Sequence, residues 1–310
     1  MNKTTLLEKD NVLIVGGTGF IGGHLTRRCL DYTPHVTVLG FPEKNMDSKA
    51  EFIKADLTDI KELSLALKNR KFDYVFNCSG YIDHTPYLKG GRKVIEAHYT
   101  GLLNLLDCID TQALKGFVQI GSSDEYGCSP APQKESMREN PISPYSLAKV
   151  NASHFIQMAS KFEGFPGVVV RFFLVYGPGQ DEKRFLPQII KACLTGESFK
   201  SSLGIQSRDF CYIDDITDGM ISAAVSEKAK GHIINLASGK PVKIKQMIET
   251  VVKLTGGGNP QWGAHPYRKG ENMELYADAS LSKELLGWEP KISLEEGLKR
   301  TIEFYKNSGK

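Results

Sequence analysis

Short apolar runs alternate with longer segments of helical periodicity through the first half of the chain. Val, Ile and Phe concentrate in the runs, and amphipathic stretches long enough for helices separate them. The predicted strands are 12–16, 35–39, 51–54, 73–77, 116–121 and 167–173. The predicted helices lie near 20–31, 59–69, 92–110 and 144–163. This alternation predicts an α/β fold with a doubly wound parallel sheet.

The pattern becomes irregular after residue 176. Isolated helices are predicted near 185–195, 214–227 and 243–254, with only brief strands between them. We therefore expect a main domain over residues 1–175 and a smaller, mainly helical lobe over residues 176–310. The strand predicted near 231–235 is expected to return to the main sheet.

Composition narrows the class of protein. The 310 residues include 41% hydrophobic and 24% charged residues, which is typical of a folded globular protein. Since 39 basic residues nearly balance 36 acidic ones, no nucleic-acid partner is implied. No run has the length of a membrane span and the first ten residues lack the apolar centre of a signal peptide, so we expect a cytoplasmic protein. The six scattered cysteines include no Cys-x-x-Cys pair, and no metal site is expected.

A glycine-rich turn follows the first apolar run. Gly16, Gly19 and Gly22 are spaced Gly-x-x-Gly-x-x-Gly and lead into an amphipathic segment. Such glycines permit a sharp turn and a close approach of a pyrophosphate to the backbone at a helix N-terminus. The motif alone is also compatible with an ordinary glycine-rich turn, so the interpretation as a dinucleotide site depends on chemistry elsewhere in the chain.

That chemistry is carried by a tyrosine, a lysine and a serine. Tyr145 and Lys149 share one face of a helix predicted to begin near Pro144. A lysine ammonium beside a phenol is expected to lower the phenol's pKa, which makes it a usable proton donor and acceptor. Ser122 ends the fifth predicted strand, at the sheet edge where ligands of parallel sheets bind, and could contact the same substrate oxygen. The spacing alone would also suit a solvated helix face.

In this order and spacing, the sequence resembles the extended short-chain dehydrogenase/reductase family, and within it the nucleotide-sugar epimerases, dehydratases and 4-ketoreductases. The resemblance covers nearly the whole chain and implies a Rossmann fold that binds NAD or NADP. Further matching motifs are Ala55-Asp56-Leu57, Arg171, Val175-Tyr176-Gly177-Pro178-Gly179, Arg208-Asp209-Phe210 with Asp214-Asp215, and Leu286-Gly287-Trp288-Glu289-Pro290.

The resemblance implies roles for individual residues. Tyr145 would be the acid/base, and Ser122, with Ser123 as the fallback, its serine partner. Residues implied at the cofactor are Gly16, Gly19, Phe20, Ile21, Gly22, Asp56, Leu57, Ser79, Gly80, Tyr145 and Lys149. Residues implied at a nucleotide-diphosphate sugar are Ser123, Phe185 beside the base, and Arg208 and Arg268 at the pyrophosphate. A homodimer through the helices near 92–110 and 144–163 is also implied.

Several positions depart from the family pattern. After the second strand, Gly40-Phe41 supplies neither the acidic residue expected at a ribose 2′-hydroxyl nor an arginine for a 2′-phosphate, so NAD and NADP both stay open. Leu174 replaces an asparagine that contacts substrate. His98 replaces another asparagine and either takes over its polar contact or is a satisfied core histidine.

The reaction type depends chiefly on the turn after Ser122. Asp124 occupies the position of a dehydratase glutamate, where it either acts as an acid or caps the turn, and Glu125 is interpreted as structural. Because no second acid is evident, a 4,6-dehydratase ranks third. The segment 181–187 and Arg208 favour an NDP-4-keto-6-deoxyhexose 4-reductase, ahead of a 4-epimerase with retained NAD. A non-catalytic dinucleotide-sensing module is the distant alternative, because it would need no Tyr-x-x-x-Lys pair.

Overall fold

The computed structural model describes residues 6–41, 47–267 and 270–308. Its strands are β1 (Val12–Val15), β2 (Val36–Gly40), β3 (Glu51–Lys54), β4 (Tyr74–Asn77), β5 (Gly116–Ser122), β6 (Gly167–Phe172), β7 (Leu174–Tyr176), β8 (Ser198–Lys200), β9 (Ser207–Tyr212), β10 (Ile233–Leu236), β11 (Pro241–Lys243), β12 (Asn259–Gln261) and β13 (Glu274–Leu275). Its helices are α1 (Phe20–Leu30), α2 (Ile60–Leu67), α3 (Arg92–Ile95), α4 (Gly101–Cys108), α5 (Pro144–Glu163), α6 (Phe185–Leu194), α7 (Ile213–Val225), α8 (Ile244–Thr255), α9 (Ser280–Leu286) and α10 (Leu294–Ser308).

Seven strands form the central sheet, in the order β10-β6-β5-β4-β1-β2-β3. Every neighbouring pair is parallel, as in Val12 beside Val36 and Ile233 beside Val169. The order reverses at β1, so the glycine turn that follows this strand lies at the topological switch point of the sheet. The doubly wound parallel sheet predicted from the sequence is confirmed.

Alternate residues of each central strand face opposite layers of the core. Ile14 of β1 packs in a cluster with Leu25 of α1 and residues of α7. Its neighbour Leu13 packs in a second cluster with Leu63 of α2 and residues of α4 and α5. Because both faces of the sheet are covered, the central strands are apolar at nearly every position, which explains their continuous hydrophobic runs.

The C-terminal third contributes to two regions. β10 pairs with β6 and extends the main sheet, as predicted for the strand near 231–235. Elsewhere β9 pairs with β7, β11 and β13, and β8 pairs with β12. Helices α6, α8 and α10 pack around a further apolar cluster that includes Ile190, Ile248 and Leu298. The division at residue 175 stays a prediction.

The helix predicted near 92–110 is interrupted in the structure. Between α3 and α4 the residues Glu96–Thr100 form a π-helical turn that contains His98. Such a turn widens the helix by one residue, and π turns of this kind are frequent at functional sites. The periodicity of the sequence did not predict this turn.

Candidate active site

The turn between β1 and α1 is packed so closely at Gly16 and Gly22 that a larger side chain is excluded at both positions. Gly16 has a φ of +76°, and a Cβ there would lie 2.8 Å from the carbonyl oxygen of Cys78. A Cβ on Gly22 would overlap the carbonyl oxygen of Gly16. The first position needs a left-handed backbone and the second needs close contact between helix and turn. Both requirements fit the dinucleotide motif that the sequence predicts.

The N-terminus of α1 is open to an anion. Gly19 caps the helix in an extended conformation without a side-chain hydrogen bond, and no acidic residue stands in the first turn. The backbone N–H groups of Phe20, Ile21 and Gly22 therefore form the positive end of the helix dipole. This arrangement fits a pyrophosphate, and the residues present are compatible with a bound dinucleotide.

The remaining predicted cofactor residues follow β3 and β4 at the same edge of the sheet. Asp56 accepts hydrogen bonds from the N–H and the hydroxyl of Thr58, each at 2.8 Å, and Leu57 is buried. The Ser79 hydroxyl donates to Asn77 Oδ1 at 2.5 Å. Because carboxyl ends of parallel strands share one edge, the structure brings these residues to the side of the sheet that holds the glycine turn.

An aromatic side chain follows β2, where many dinucleotide sites have a carboxylate. Phe41 is exposed, and the Lys54 ammonium lies 4.9 Å from its ring centroid. Residues 42–46, which follow Phe41, lie outside the described residues.

Ser122, Tyr145 and Lys149 are buried together at the ends of β5 and α5. Ser143 caps α5, with Pro144 in its first turn, so that Tyr145 and Lys149 lie one turn apart as predicted. The Lys149 ammonium donates to the carbonyl oxygen of Ile120 at 2.9 Å and lies 5.9 Å from the centroid of the Tyr145 ring. The structure thus brings the three predicted catalytic residues to one place.

Burial dominates the ionisation of the tyrosine and the lysine. It raises the pKa of Tyr145 above its ordinary value, while a hydrogen bond with Ser122 acts in the opposite direction. Burial also lowers the pKa of Lys149 to about 8. The expectation that Lys149 lowers the phenol's pKa is not confirmed, because its ammonium is directed at the Ile120 carbonyl.

A buried charge network fixes the backbone of Ser122. The Ser122 N–H donates to Glu125 Oε1 at 2.8 Å, and Glu125 Oε2 accepts from Arg171 Nε at 2.9 Å and from the Ser153 hydroxyl at 2.8 Å. Arg171 is fully buried and also pairs with Glu139 at 2.7 Å. Glu125 therefore has the structural role that the sequence interpretation gave it.

Asp124 does not cap the turn, which was one of the two roles that the sequence left open for it. Ser122 and Glu125 form the reciprocal cap instead, with the Ser122 hydroxyl accepting from the Asp124 N–H at 3.1 Å. The Asp124 carboxylate lies 3.6 Å from His84 Nε2. Burial raises the pKa of Asp124, and the charge of His84 opposes the rise.

His98 is a satisfied core histidine. It is buried, its Nε2 donates to the Tyr81 carbonyl oxygen at 2.8 Å, and its ring meets Tyr145 edge to face with centroids 5.1 Å apart. Burial lowers the pKa of His98 to about 3, with the charge of Lys149 adding to the effect, so the imidazole is neutral. A Cβ on Gly80 would overlap this ring, which accounts for the glycine at that position.

The residues predicted at the substrate are only partly brought together. Arg208 on β9 is largely buried, pairs with Glu271, and lies within electrostatic reach of Asp124. Phe185 begins α6 and packs against the C-terminal apolar cluster, so its contact with a base stays a prediction. Arg268 lies outside the described residues.

Two charged residues at the site were not singled out from the sequence. His84 lies between β4 and α3, and its ring meets Tyr145 edge to face with centroids 5.7 Å apart. Arg184 precedes α6 and acts electrostatically on both Asp124 and Tyr145. Neither residue stands in a spacing motif, and only their positions in loops at the carboxyl edge of the sheet could have drawn attention to them.

Two kinds of feature are absent from the described ranges of the chain. Among these residues, His, Cys, Asp and Glu form no group of three or more with the arrangement of a metal site. None of the helices described combines the length and the apolar character that crossing a membrane requires.

The doubly wound sheet and the open glycine turn at its switch point are those of a dinucleotide-binding enzyme fold. Residues 12–237 match the model of the NAD dependent epimerase/dehydratase family. This chain belongs to that family, whose members are NAD-dependent enzymes acting on nucleotide sugars.

Known relatives include several sugar epimerases. The UDP-glucuronate 4-epimerase of Thermodesulfobacterium geofontis is 32% identical over 83% of this chain and 80% of its own length. The UDP-glucose 4-epimerase of Thermotoga maritima, solved with UDP-glucose, superimposes with a TM-score of 0.88 at 26% identity, covering 97% of this chain and 100% of that one. A UDP-glucuronic acid 4-epimerase variant from Bacillus cereus, solved with NAD and a fluorinated substrate analogue, gives a TM-score of 0.85 at 25% identity, covering 96% and 99%.

Proposed function

We propose that this protein is an NAD-dependent 4-epimerase of UDP-sugars that retains its cofactor through the reaction cycle. The observation that carries the proposal is the burial of Ser122, Tyr145 and Lys149 together beside the open glycine turn. Three relatives of this chain, which their names describe as 4-epimerases of UDP-glucose or UDP-glucuronate, support this choice of reaction.

In this proposal Tyr145 moves the proton of the sugar's C4 hydroxyl. As the phenolate, which the hydrogen bond with Ser122 and the charge of Arg184 favour, Tyr145 accepts that proton when C4 is oxidised, and as the phenol it returns the proton when C4 is reduced. Ser122, which hydrogen-bonds Tyr145, orients the same oxygen. Lys149 holds a positive charge beneath the site and offers contacts to the cofactor ribose. The chemistry that a bound NAD supplies is reversible two-electron oxidation at C4.

The cofactor lies, in this proposal, along the carboxyl edge of the sheet. The first-turn N–H groups of α1 hold the pyrophosphate. By the family resemblance, Asp56 and Leu57 would contact the adenine, and Ser79 and Gly80 would contact the middle of the dinucleotide. The tightly packed glycine turn supports this assignment, since it leaves the backbone accessible to a phosphate where a side chain would block it.

The geometry disfavours a 4,6-dehydratase. Dehydration at C5 and C6 needs a pair of groups that donate and accept protons there. Glu125 is committed to Arg171, Ser153 and the Ser122 N–H, and the residue before Asp124 is a serine. Of the two carboxylates in the described part of the chain that act on Tyr145, Asp124 alone has no such commitment, which is one acid short of the pair.

The 4-reductase favoured from the sequence is the alternative to the proposed epimerase. It rested on the segment 181–187 and on Arg208, whereas the 4-epimerase is supported by relatives that cover most of the chain. The two reactions differ in cofactor use, because a reductase consumes reduced cofactor and an epimerase regenerates it. The stoichiometry of bound cofactor therefore distinguishes them.

The test combines cofactor analysis with turnover. We expect purified protein to release about one NAD per chain on denaturation, and to interconvert UDP-glucose and UDP-galactose, or the two uronate epimers, without added cofactor. Tyr145→Phe should keep the NAD and lower turnover by about 10²- to 10⁴-fold. The matched control is Tyr32→Phe, which lies two residues beyond the C-terminal end of α1. Empty protein that reduces 4-keto-6-deoxy sugars with NADPH would contradict the proposal.

We also propose that the protein is a homodimer through the helices near 92–110 and 144–163, the second of which is α5. Large apolar side chains remain exposed on this helix, among them Phe162, which is 82% exposed, and Leu147. Exposed apolar surface of this kind is typical of protein contacts. Sedimentation equilibrium should give a dimer, and a monomer at micromolar concentration would contradict it.

A further inference from the structure

His84 and Asp124 form a polar pair at the rim of the proposed active site. The two side chains come from the loops after β4 and β5, with His84 Nε2 and Asp124 Oδ2 3.6 Å apart. His84 also lies 3.3 Å from the hydroxyl of Ser143, the cap of the helix that carries Tyr145. Its ring is in edge contact with the Tyr145 ring. The pair is therefore held against the residue proposed to act at C4.

Neither the capping of the turn nor the stability of the fold explains why His84 and Asp124 lie side by side. The turn after β5 is already capped by Ser122 and Glu125. The side chains of His84 and Asp124 are 48% and 33% exposed, and an ion pair of that exposure contributes little to stability. Local hydrogen bonds hold the loop of His84, because Asp83 accepts from the N–H and the hydroxyl of Thr85.

His84 uses Nδ1 toward the Ser143 hydroxyl, which leaves Nε2 and the Asp124 carboxylate as the facing polar atoms of the pair. At 3.6 Å the two groups attract each other electrostatically without a hydrogen bond between them. In the described parts of the chain no side chain donates a hydrogen bond to the Asp124 carboxylate, and its influences are burial and the charges of His84, Glu125, Arg184 and Arg208. A carboxylate accepts and an imidazole N–H donates, so a group that both donates and accepts suits them.

From this geometry we propose that the His84–Asp124 pair binds a hydroxyl of the sugar beside C4 and thereby selects a neutral hexose over a hexuronate. The inference rests on the proposed epimerase function. A hydroxyl can donate to Asp124 and accept from His84 at once. A uronate carboxylate offers only acceptors and would bring a second negative charge toward Asp124, which costs binding energy in a partly desolvated site. Arg184 and Arg208 offset this repulsion only in part, because they act on Asp124 more weakly than the negative charge of Glu125 does. The substrate class that follows is a UDP-hexose with unoxidised hydroxyl groups.

Measurements of binding test the preference for a neutral sugar, and measurements of turnover test the proposed epimerase function. In the NAD-loaded Tyr145→Phe protein, which should not turn substrate over, calorimetry measures the affinities of UDP-glucose and UDP-glucuronate with and without Asp124→Asn. We expect the protein that retains Asp124 to prefer UDP-glucose, and Asp124→Asn to weaken UDP-glucose by about 10- to 100-fold, the range for one hydrogen bond to a charged group. UDP-glucuronate should bind as well or better in that variant, because the repelling charge is gone.

A matched control is Glu284→Gln, which removes one exposed carboxylate on α9. It should change neither affinity, and an equal loss for both sugars in Asp124→Asn would indicate structural damage and overturn the inference. Preference for UDP-glucuronate in the protein that retains Asp124 would also overturn it. Failure of the unsubstituted enzyme to epimerise either sugar, measured by NMR, would contradict the proposed function instead, whatever the affinities.

Discussion

Replacing Lys149 by methionine should make the protein relatively more stable at neutral pH than at alkaline pH. The lysine is fully enclosed, and its burial lowers the pKa from 10.5 to about 8. Below pH 8 the folded protein must keep a buried ammonium that the unfolded chain exposes to water. This cost is present in full at neutral pH, declines as the pH rises through 8, and disappears above the unfolded value.

The size of the effect follows from these two values. A lowering from 10.5 to about 8 corresponds to a cost of about 3 kcal/mol at pH 7, because a tenfold change in an ionisation constant is worth about 1.4 kcal/mol. At pH 9.5 the folded form has lost its proton and the remaining cost is about 1 to 1.5 kcal/mol. The wild type should therefore gain about 2 kcal/mol relative to Lys149→Met between pH 7 and pH 9.5.

Urea unfolding of both proteins, stripped of dinucleotide, at the two pH values measures this difference. Comparing wild type with variant removes the contributions of other titrating groups. Methionine removes one of two side-chain donors to the Ile120 carbonyl and leaves Gln119 Nε2, so the loss of about 1 kcal/mol applies at both pH values and does not affect the comparison. Lys253→Met on the exposed side of α8 controls for the substitution. A wild-type-to-variant difference that is the same at both pH values would refute the reasoning.

Three other substitutions test the packing around the site. Gly22→Ala should weaken NAD binding at least about tenfold, because the new Cβ would overlap the Gly16 carbonyl. An unchanged dissociation constant for NAD, measured by the quenching of protein fluorescence, would contradict the role given to the glycine turn. Glu125→Ala should lower the free energy of unfolding by about 3 kcal/mol, because the buried Arg171 loses one of its two carboxylate partners and keeps Glu139. A loss under about 1 kcal/mol would show that the ion pair between Glu125 and Arg171 does not stabilise the fold. Gly80→Ala, at a φ of +101°, should lower the melting temperature, and an unchanged one would contradict the packing described beneath it.

The central sheet was predictable because its strands obey a simple rule. Strands covered on both faces are apolar at nearly every position, so Val12–Val15 and Tyr74–Asn77 stand out in the sequence. The glycine turn and the Tyr145–Lys149 pair were predictable for a similar reason, since a local spacing fixes both. The short strands β8 and β12 lack such a pattern, because only their pairing with each other makes them strands.

The chemistry around Tyr145 was less predictable, because it depends on contacts between distant segments. His98 lies in the π-helical turn and packs against Gly80, and periodicity along the helix carries no information about that contact. His84 reaches Asp124 only because neighbouring strands end at the same edge. The pKa of Tyr145 was wrongly expected to fall, since the spacing to Lys149 gives neither the burial of the phenol nor the direction of the ammonium.

The proposed reaction is tested most directly by the fate of the hydrogen at C4. Purified protein without added cofactor would be given UDP-glucose and UDP-glucuronate, each carrying deuterium at C4, and the products followed by NMR and mass spectrometry. An epimerase that completes oxidation and reduction within one enzyme-bound cycle should yield the C4 epimer with its deuterium retained. Absence of an epimer without added cofactor, or loss of the deuterium from C4, would contradict the account.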